Sequence, residues 1–167
     1  RFVPIENKSN KNYWLGITIQ SSMNNNTLEG LYISNASEAL VINSPNILTS
    51  DVTVRNSTYG LIVNSDNSIL NNITISNSGM NGIIIRGMNA RLDWITVDSS
   101  ASTGIINEAN ANFNNVAISN SGLNGMIIRG MNSQLNWITV DSSASTGIIN
   151  EANTNTLLQN SIIKHSG

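Results

Sequence analysis

Short apolar segments recur along this chain at a nearly constant spacing. Each opens on a small residue and continues as an apolar run, as in Gly82-Ile83-Ile84-Ile85, and each repeat also holds a lone Leu or Phe and a triplet such as Ile73-Thr74-Ile75. Period-2, β-branched segments separated by Asn, Ser and Gly predict strands, because no helix fits between the turns. The opening residues stand 21 to 23 positions apart, at Gly16, Ala39, Gly60, Gly82, Gly104, Gly125 and Gly147.

A longer repeat contains two of these short ones. Residues 75–112 align with residues 118–155 at an offset of 43, and 32 of the 38 pairs are identical. Like strands so far apart in sequence cannot be partners in a hairpin, so we expect them to stack as parallel neighbours in successive coils. We predict an all-β parallel β-helix over residues 16–167, with about seven coils of 21–23 residues and three short strands per coil. Residues 1–15 break the repeat and are predicted to form an N-terminal cap or linker.

The repeated motif is similar to that of a known class of proteins. I-x-I-x-N, followed by G-I-x-I and then L-x-N-x-I, resembles the right-handed parallel β-helix repeat of pectate-lyase-like and NosD-like carbohydrate-binding and sugar-hydrolysis surface proteins. The resemblance extends from about Gly16 to Ile163. It implies a right-handed winding, which the general rule for parallel crossovers also favours. It is specific for fold and not for function, because lyases, adhesins, tailspikes and surface-layer proteins share the architecture.

Composition narrows the function classes. The 167 residues include 30 Asn, 23 Ser, one His and no Cys, and only 11% are charged. The absence of Cys excludes a disulfide scaffold and a thiolate metal site, and one His cannot supply a His-rich zinc site. A net charge of −2 argues against nucleic acid as the partner, and no apolar run is long enough to span a bilayer. We predict no cofactor, no metal, and a location outside the cell or on its surface.

One outward column of strand side chains is expected to be apolar throughout. The strand period of two places Leu61 and Val63 inward, so Ile62 between them points outward. Six stacked aliphatic side chains would expose a strip of a few hundred Å², the size of an interaction surface. We predict that this strip drives self-association into an oligomer or filament; the alternative is that another part of the chain covers it. The strip consists of Val41, Ile62, Ile84, Ile106, Ile127 and Ile149.

The next column is expected to be a ladder of alternating charge. Neighbouring strands lie about 4.8 Å apart, so each Arg should reach the Glu of the adjacent coil. Exposed ion pairs contribute only about 0.2–1 kcal/mol each, so their expected role is to fix the alignment of the coils. The charge ladder consists of Arg86, Glu108, Arg129 and Glu151.

The residue before each triplet is predicted to occupy a tight corner. It is Asn at positions 72, 115 and 160, and Asn tolerates the left-handed backbone conformation. In alternate coils it is Trp94 or Trp137. Packing at the corner is the favoured expectation for both indoles, and exposure as sugar-stacking platforms is the alternative.

A column of Thr follows each corner and suggests ice binding as a minor alternative. Thr is also an ordinary strand residue, and the neighbouring column contains Arg55, Asp98 and Asp141, which would interrupt a regular uncharged plane. The Thr column consists of Thr53, Thr74, Thr96, Ala117 and Thr139.

Catalytic chemistry is difficult to assemble from these residues. A glycosidase needs two carboxylates that flank a sugar, and Asp98 and Asp141 lie two coils apart in equivalent positions. Both belong to the same repeated turn sequence, whereas an active site is normally built once. A lyase would need clustered carboxylates for calcium, but the ten acidic residues are spread along the chain. His165 has no evident partner in the sequence, so we predict a non-enzymatic protein.

Five Asn-x-Ser/Thr sequons agree with an extracellular location if they carry glycans. The last residues, 161–167, correspond to residues 116–122 and stop within a coil, so we expect a fragment of a longer helix or an open end that receives another subunit. The sequence thus predicts a structural or adhesive solenoid that self-associates. The alternative is a glycan-binding module, or a fragment of a polysaccharide-active protein, that uses Trp94 and Trp137. The sequons are Asn7, Asn25, Asn35, Asn56 and Asn72.

Overall fold

Sixteen β-strands make up the regular structure of the part of the chain that the structure describes. The computed structural model describes residues 13–20, 25–151 and 155–167. No helix, and hence none that could cross a membrane, occurs in these ranges. The strands are β1 (Ile17–Ile19), β2 (Thr27–Glu29), β3 (Tyr32–Ser34), β4 (Glu38–Ile42), β5 (Leu48–Arg55), β6 (Tyr59–Val63), β7 (Ile69–Ser76), β8 (Ile83–Ile85), β9 (Ala90–Asp98), β10 (Ile105–Asn107), β11 (Ala111–Ser119), β12 (Met126–Ile128), β13 (Gln134–Asp141), β14 (Ile148–Asn150), β15 (Leu157–Gln159) and β16 (Ile162–Lys164).

The strands form two parallel sheets that wind as a solenoid. Seven strands stack in the order β1-β4-β6-β8-β10-β12-β14, and nine belong to a second sheet built around β5, β7, β9, β11 and β13. Each strand pairs with its equivalent one coil away, as Ile83 does with Ile105. The predicted all-β parallel solenoid is confirmed. Seven strands are separated by six steps, so the chain makes about six turns rather than seven. The right-handed sense of winding stays a prediction.

The five middle coils contain two strands each, not the three that were predicted, whereas the first coil (β1, β2 and β3) and the last coil (β14, β15 and β16) contain three. The lone Leu and the following triplet belong to one long strand, such as β9 (Ala90–Asp98), which bends at Trp94. Pairing continues on both sides of the bend, with Leu70 opposite Leu92 and Ile73 opposite Ile95. A single left-handed residue therefore turns the chain without interrupting the parallel ladder.

The core lies inside the coils and follows the predicted columns. The inward residues Ile73, Ile75, Ile83, Ile85 and Leu92 are all at most 1% exposed. Full burial of such a side chain contributes about 1.5–3 kcal/mol, so each coil stabilises the next through its apolar columns.

One core position is polar. Asn107 takes the place of Ile85 and Ile128 in the adjacent coils and is completely buried. Its Nδ2 donates a hydrogen bond to Ser133 Oγ at 2.8 Å, but its Oδ1 accepts none from the described residues. A buried polar atom without a partner costs about 1–3 kcal/mol, so this amide weakens the core.

Asn107→Ile is expected to raise the free energy of unfolding by about 1–2 kcal/mol. The new side chain matches its column neighbours, and Ser133 Oγ keeps its hydrogen bond to the carbonyl of Gly130. Chemical denaturation measures the change, with Asn107→Asp as a control that should be destabilised because it places a carboxyl group in the same site. A lower stability of Asn107→Ile would contradict this account.

The described part of the predicted N-terminal cap lies against the first coils. Trp14 forms an isolated parallel bridge with Ala36, and its indole N–H donates to the carbonyl of Ser34 at 2.9 Å. The indole also packs against the core. Residues 1–12, and Asn7 with them, lie outside the described residues.

In the last coil, Leu158 and Ile163 continue core columns but are 43% and 46% exposed.

Candidate functional site

The bend within each long strand is made by a residue with positive φ. For residues other than Gly this conformation costs about 1–2 kcal/mol, and Asn and Asp tolerate it best. Asn72, Asn115 and Asn160 have φ angles of 52°, 52° and 49°, which confirms the predicted left-handed corner. Among the described residues, the corner column consists of Gly30, Asp51, Asn72, Trp94, Asn115, Trp137 and Asn160.

Trp94 and Trp137 depart from this preference. They have φ angles of 55° and 56°, which a bulky residue rarely adopts, and they are 62% and 56% exposed. The expectation that they pack at the corner is therefore wrong. Leu92 and Ile95 on either side of the β9 bend both point inward, so the left-handed residue places two consecutive side chains, Asp93 and Trp94, on the outside.

The two indoles line one cleft on the outer surface. Because adjacent strands lie about 4.8 Å apart, corner residues two coils apart are separated by about 9.6 Å along the solenoid axis. Asn115 occupies the same corner in the coil between them. The cleft has a volume of about 380 Å³ and is lined by Asn72, Trp94, Ile95, Thr96, Asn115, Val116, Ala117, Trp137 and Thr139.

Neutral hydrogen-bonding groups surround the indoles. Asn115 Nδ2 donates to Asp93 Oδ1 at 3.0 Å, which orients the amide, and its Oδ1 has no partner among the described residues. Thr96 and Thr139 stand on either side of Ala117, whose methyl group leaves more room than the Thr found elsewhere in that column. None of the nine lining residues is charged. The cleft is thus suited to a neutral ligand with both apolar and hydroxyl-bearing surfaces.

The aliphatic strip is far less exposed than expected. Val41, Ile62 and Ile84 are 6% exposed and Ile127 is 7%, although all four lie outside the core cluster. Ile106 and Ile149 are partly buried. The prediction that the strip exposes a few hundred Å² is therefore wrong, while a role for it in assembly stays a prediction.

The charge ladder forms a continuous chain of ion pairs. Arg86 Nε lies 3.0 Å from Glu108 Oε2, Arg129 Nη1 lies 3.6 Å from Glu108 Oε1, and Arg129 Nε lies 2.6 Å from Glu151 Oε2. The hydrogen bond from Arg129 to Glu151 raises the pKa of that guanidinium above its ordinary value. Every member is well exposed to solvent, so these pairs align the coils more than they stabilise them.

Asp98 and Asp141 are each occupied by neighbouring side chains. Asp98 accepts hydrogen bonds from Ser119 at 2.6 Å and Asn120 at 2.8 Å, and Asp141 contacts His165 Nδ1 at 2.8 Å. Asp141 also lies 3.2 Å from Lys164 Nζ. Because His165 contacts Asp141, the expectation that His165 has no partner is wrong. The two residues are 24 positions apart in the sequence, and the parallel pairing of adjacent coils brings them side by side. Within the described ranges, no three His, Asp or Glu side chains are placed to hold a metal ion.

The hydrogen bond from Ser119, followed by those from Asn120 and Ser99, lowers the pKa of Asp98 below its ordinary value of 3.8. Asp98 therefore stabilises the fold above that pH, and this contribution is lost as the pH falls through its lower folded-state pKa. We expect the free energy of unfolding to decrease below about pH 4, with a shallower decrease in Asp98→Asn. Acid titration followed by circular dichroism tests this, and equal slopes for both proteins would contradict it.

Four of the five sequons lie in the described part of the chain. Asn25, Asn35, Asn56 and Asn72 are all exposed, and all have positive φ. Asn72 donates its amide to Asp51 Oδ1 at 2.5 Å. These side chains are accessible from solvent, but their modification stays a prediction.

A further surface feature was not predicted from the sequence. Grooves of about 720 and 460 Å³ run on either side of an outward column on the long strands. This column changes from Leu48 and Ile69 to Arg91, Asn112 and Gln134, and therefore does not repeat its chemistry from coil to coil. The sequence analysis identified surface columns by residue types that recur from coil to coil, so a column without such recurrence was not detected.

No protein-family profile matches the chain, and neither a curated protein nor a solved structure matches it. The parallel β-solenoid that the repeated motif implied is nevertheless present in the structure. Membership of the pectate-lyase-like or NosD-like proteins stays a prediction.

Proposed function

We propose that this chain is a non-enzymatic, carbohydrate-binding solenoid that acts as an adhesive module outside the cell. The exposed pair Trp94 and Trp137 carries this proposal. A Trp at a left-handed corner is conformationally unfavourable, and an exposed indole recovers little of that free energy through packing. Asn serves the same corner at positions 72, 115 and 160. Binding therefore accounts for the two indoles better than folding does.

Sugars fit the chemistry of this cleft. The C–H face of a pyranose is apolar and stacks on an aromatic ring, while its hydroxyl groups need hydrogen-bonding partners at the edge. Asn115, Thr96 and Thr139 supply such partners beside the indoles. Asp93 and Asp98 lie just outside the cleft, so a neutral glycan is favoured over an anionic one.

Other classes of ligand fit less well. Aromatic side chains also stack on nucleic-acid bases, but binding to a phosphate backbone needs a basic surface, and the net charge here is −2. A stable protein partner generally buries more than about 1,000 Å² in total, which is a larger surface than the nine residues that line this cleft would provide. The acidic side chains Asp98 and Asp141 are held by neighbouring groups, which supports binding without hydrolysis.

Trp94→Asn combined with Trp137→Asn is expected to weaken glycan binding by roughly ten- to hundredfold, because each stacked ring contributes about 0.5–1.5 kcal/mol. Asn is the native residue at three other corners of this column, positions 72, 115 and 160, so the variant should keep its fold. A glycan array identifies ligands of the wild-type chain, and calorimetry then compares affinities.

Met88→Ala combined with Met131→Ala is the matched control. These side chains are 55% and 64% exposed and are also separated by 43 residues, but they lie outside the cleft. Their replacement should leave glycan affinity unchanged. The proposal fails if the wild-type chain binds no glycan, or if the double Trp variant binds as tightly as the wild type.

A further inference from the structure

We infer that the ligand is an extended, linear, neutral glycan that lies along the solenoid axis and contacts both indoles at once, an inference that rests on the proposed function. The chemical class that fits is a β-1,4-linked chain of pyranoses, whose orientation repeats every second sugar. The repeat of the protein surface and the repeat of the polymer then match along the same direction.

The period of the exposed surface supports this class. Three pairs of large exposed apolar side chains lie two coils apart on the outside: Met80 with Leu123, Met88 with Met131, and Trp94 with Trp137. The coil between carries Ser102 and Asn115 at the corresponding positions. The core, by contrast, repeats at every coil. Two coils correspond to about 9.6 Å, so these three pairs recur at twice the spacing of the fold itself.

A β-1,4-linked chain has the same doubled repeat. Successive pyranoses are turned over relative to each other, so alternate sugars present the same face to one side of the chain. Each sugar in such an extended chain is about as long as the spacing between neighbouring β-strands. Two alternate sugars therefore reach Trp94 and Trp137 with the same face, and the sugar between them passes over the intervening coil.

The intervening coil is built to accept that middle sugar. Asn115 stands at the corner between the indoles, and its Oδ1, which has no partner among the described residues, can accept a hydrogen bond from a hydroxyl group. Ala117 replaces the Thr found at 96 and 139, which lowers the floor of the cleft under the same sugar. The ligand thus meets an aromatic ring, then a polar recess, and then a second aromatic ring.

A length series of cello- and chito-oligosaccharides, from one sugar to six, tests this inference by calorimetry. Affinity should rise by about two- to tenfold between two sugars and three, because only three sugars span both indoles. The stoichiometry should be one chain per protein. Trp94→Asn and Trp137→Asn, made singly, should each reduce trisaccharide affinity to the level of the disaccharide.

Two further probes separate this geometry from stacking on isolated rings. Ala117→Thr restores the residue of its own column and should preserve the fold, but it should weaken binding of the trisaccharide more than binding of a single sugar. Malto-oligosaccharides, whose α-1,4 links make the chain curve, should show no comparable gain between two sugars and three.

The outcomes distinguish the two proposals. Binding that does not change with length, with two ligands per protein, would overturn the bridging geometry and leave carbohydrate binding intact. A length dependence that is the same for α- and β-linked chains would also overturn the assignment of the β-1,4 class. If none of these oligosaccharides binds while other glycans on the array do, the β-1,4 class is again wrong. If no glycan binds at all, the proposed function itself fails.

Discussion

Phe113→Ala is expected to lower the free energy of unfolding by about 3–5 kcal/mol. Phe113 is 1% exposed and takes the place that Leu holds at 92 and 135 in the adjacent coils, so its ring fills more of the core than either of these neighbours does. The long strands on both sides are fixed in position by their parallel pairing. The coils therefore cannot collapse into the space left by the ring, and a cavity remains.

Phe113→Leu is the matched control because Leu is the native residue of this column. It should cost less than about 1.5 kcal/mol, since most of the volume is retained. Denaturant unfolding measures both variants. Hydrogen exchange adds a spatial test, because each coil of a solenoid contacts only its neighbours, and the loss of protection should centre on β9, β11 and β13. Equal stabilities of the two variants would show that the ring does not fill this space.

The fold could be predicted because the same pattern of apolar residues recurs in successive coils of the sequence. The inward positions of one coil are marked by Ile73 and Ile75, or by Ile83 and Ile85. Apolar residues recur at the equivalent positions of the other coils. The offset of 43 aligns equivalent residues independently of their hydrophobicity. It also aligned the charge ladder, because Arg86 and Arg129 are related by the same offset.

The corners were predicted from their Asn residues, but the continuation of each long strand through its bend could not be predicted from periodicity. Periodicity shows which residues belong to one column, but it does not show whether a turn ends a strand. The left-handed residue at Trp94 turns the chain while its neighbours keep their parallel partners, so two expected strands became one. The same residue places two successive side chains outside, a departure from the period of two that also exposed the indole.

Exposure was the least predictable property of the candidate sites. The outward direction of Ile62 and Ile84 followed from the strand period, but their exposure depends on neighbours in adjacent coils. The indoles gave the opposite result: packing was expected, and both are largely exposed. Among the described residues, Asn at the equivalent corners shows that the turn does not require Trp. This comparison within one chain shows that the turn alone does not account for the two indoles.

Gly104→Ala is expected to destabilise the protein by about 3 kcal/mol, at the upper end of the range for overpacked cores. A methyl group at this position would lie 2.5 Å from Ile118 Cγ2 and 2.7 Å from the carbonyl oxygen of Gly125. The carbonyl belongs to the backbone of the next coil, so it cannot move away without opening the ladder between the two coils. The reduced entropy of the unfolded chain offsets only about 0.4–1 kcal/mol of this cost.

Gly79→Ala provides the control for that substitution. Its new methyl group would lie 3.6 Å from the nearest atom outside the adjoining residues, an ordinary contact, and Gly79 is exposed. Its stability should therefore change by less than about 0.5 kcal/mol. Thermal and denaturant unfolding of both variants measure the difference. If Gly104→Ala proved as mild as Gly79→Ala, the close approach of adjacent coils at the glycine column would not limit side-chain size, and the recurrence of Gly at 60, 82, 104 and 125 would need another cause.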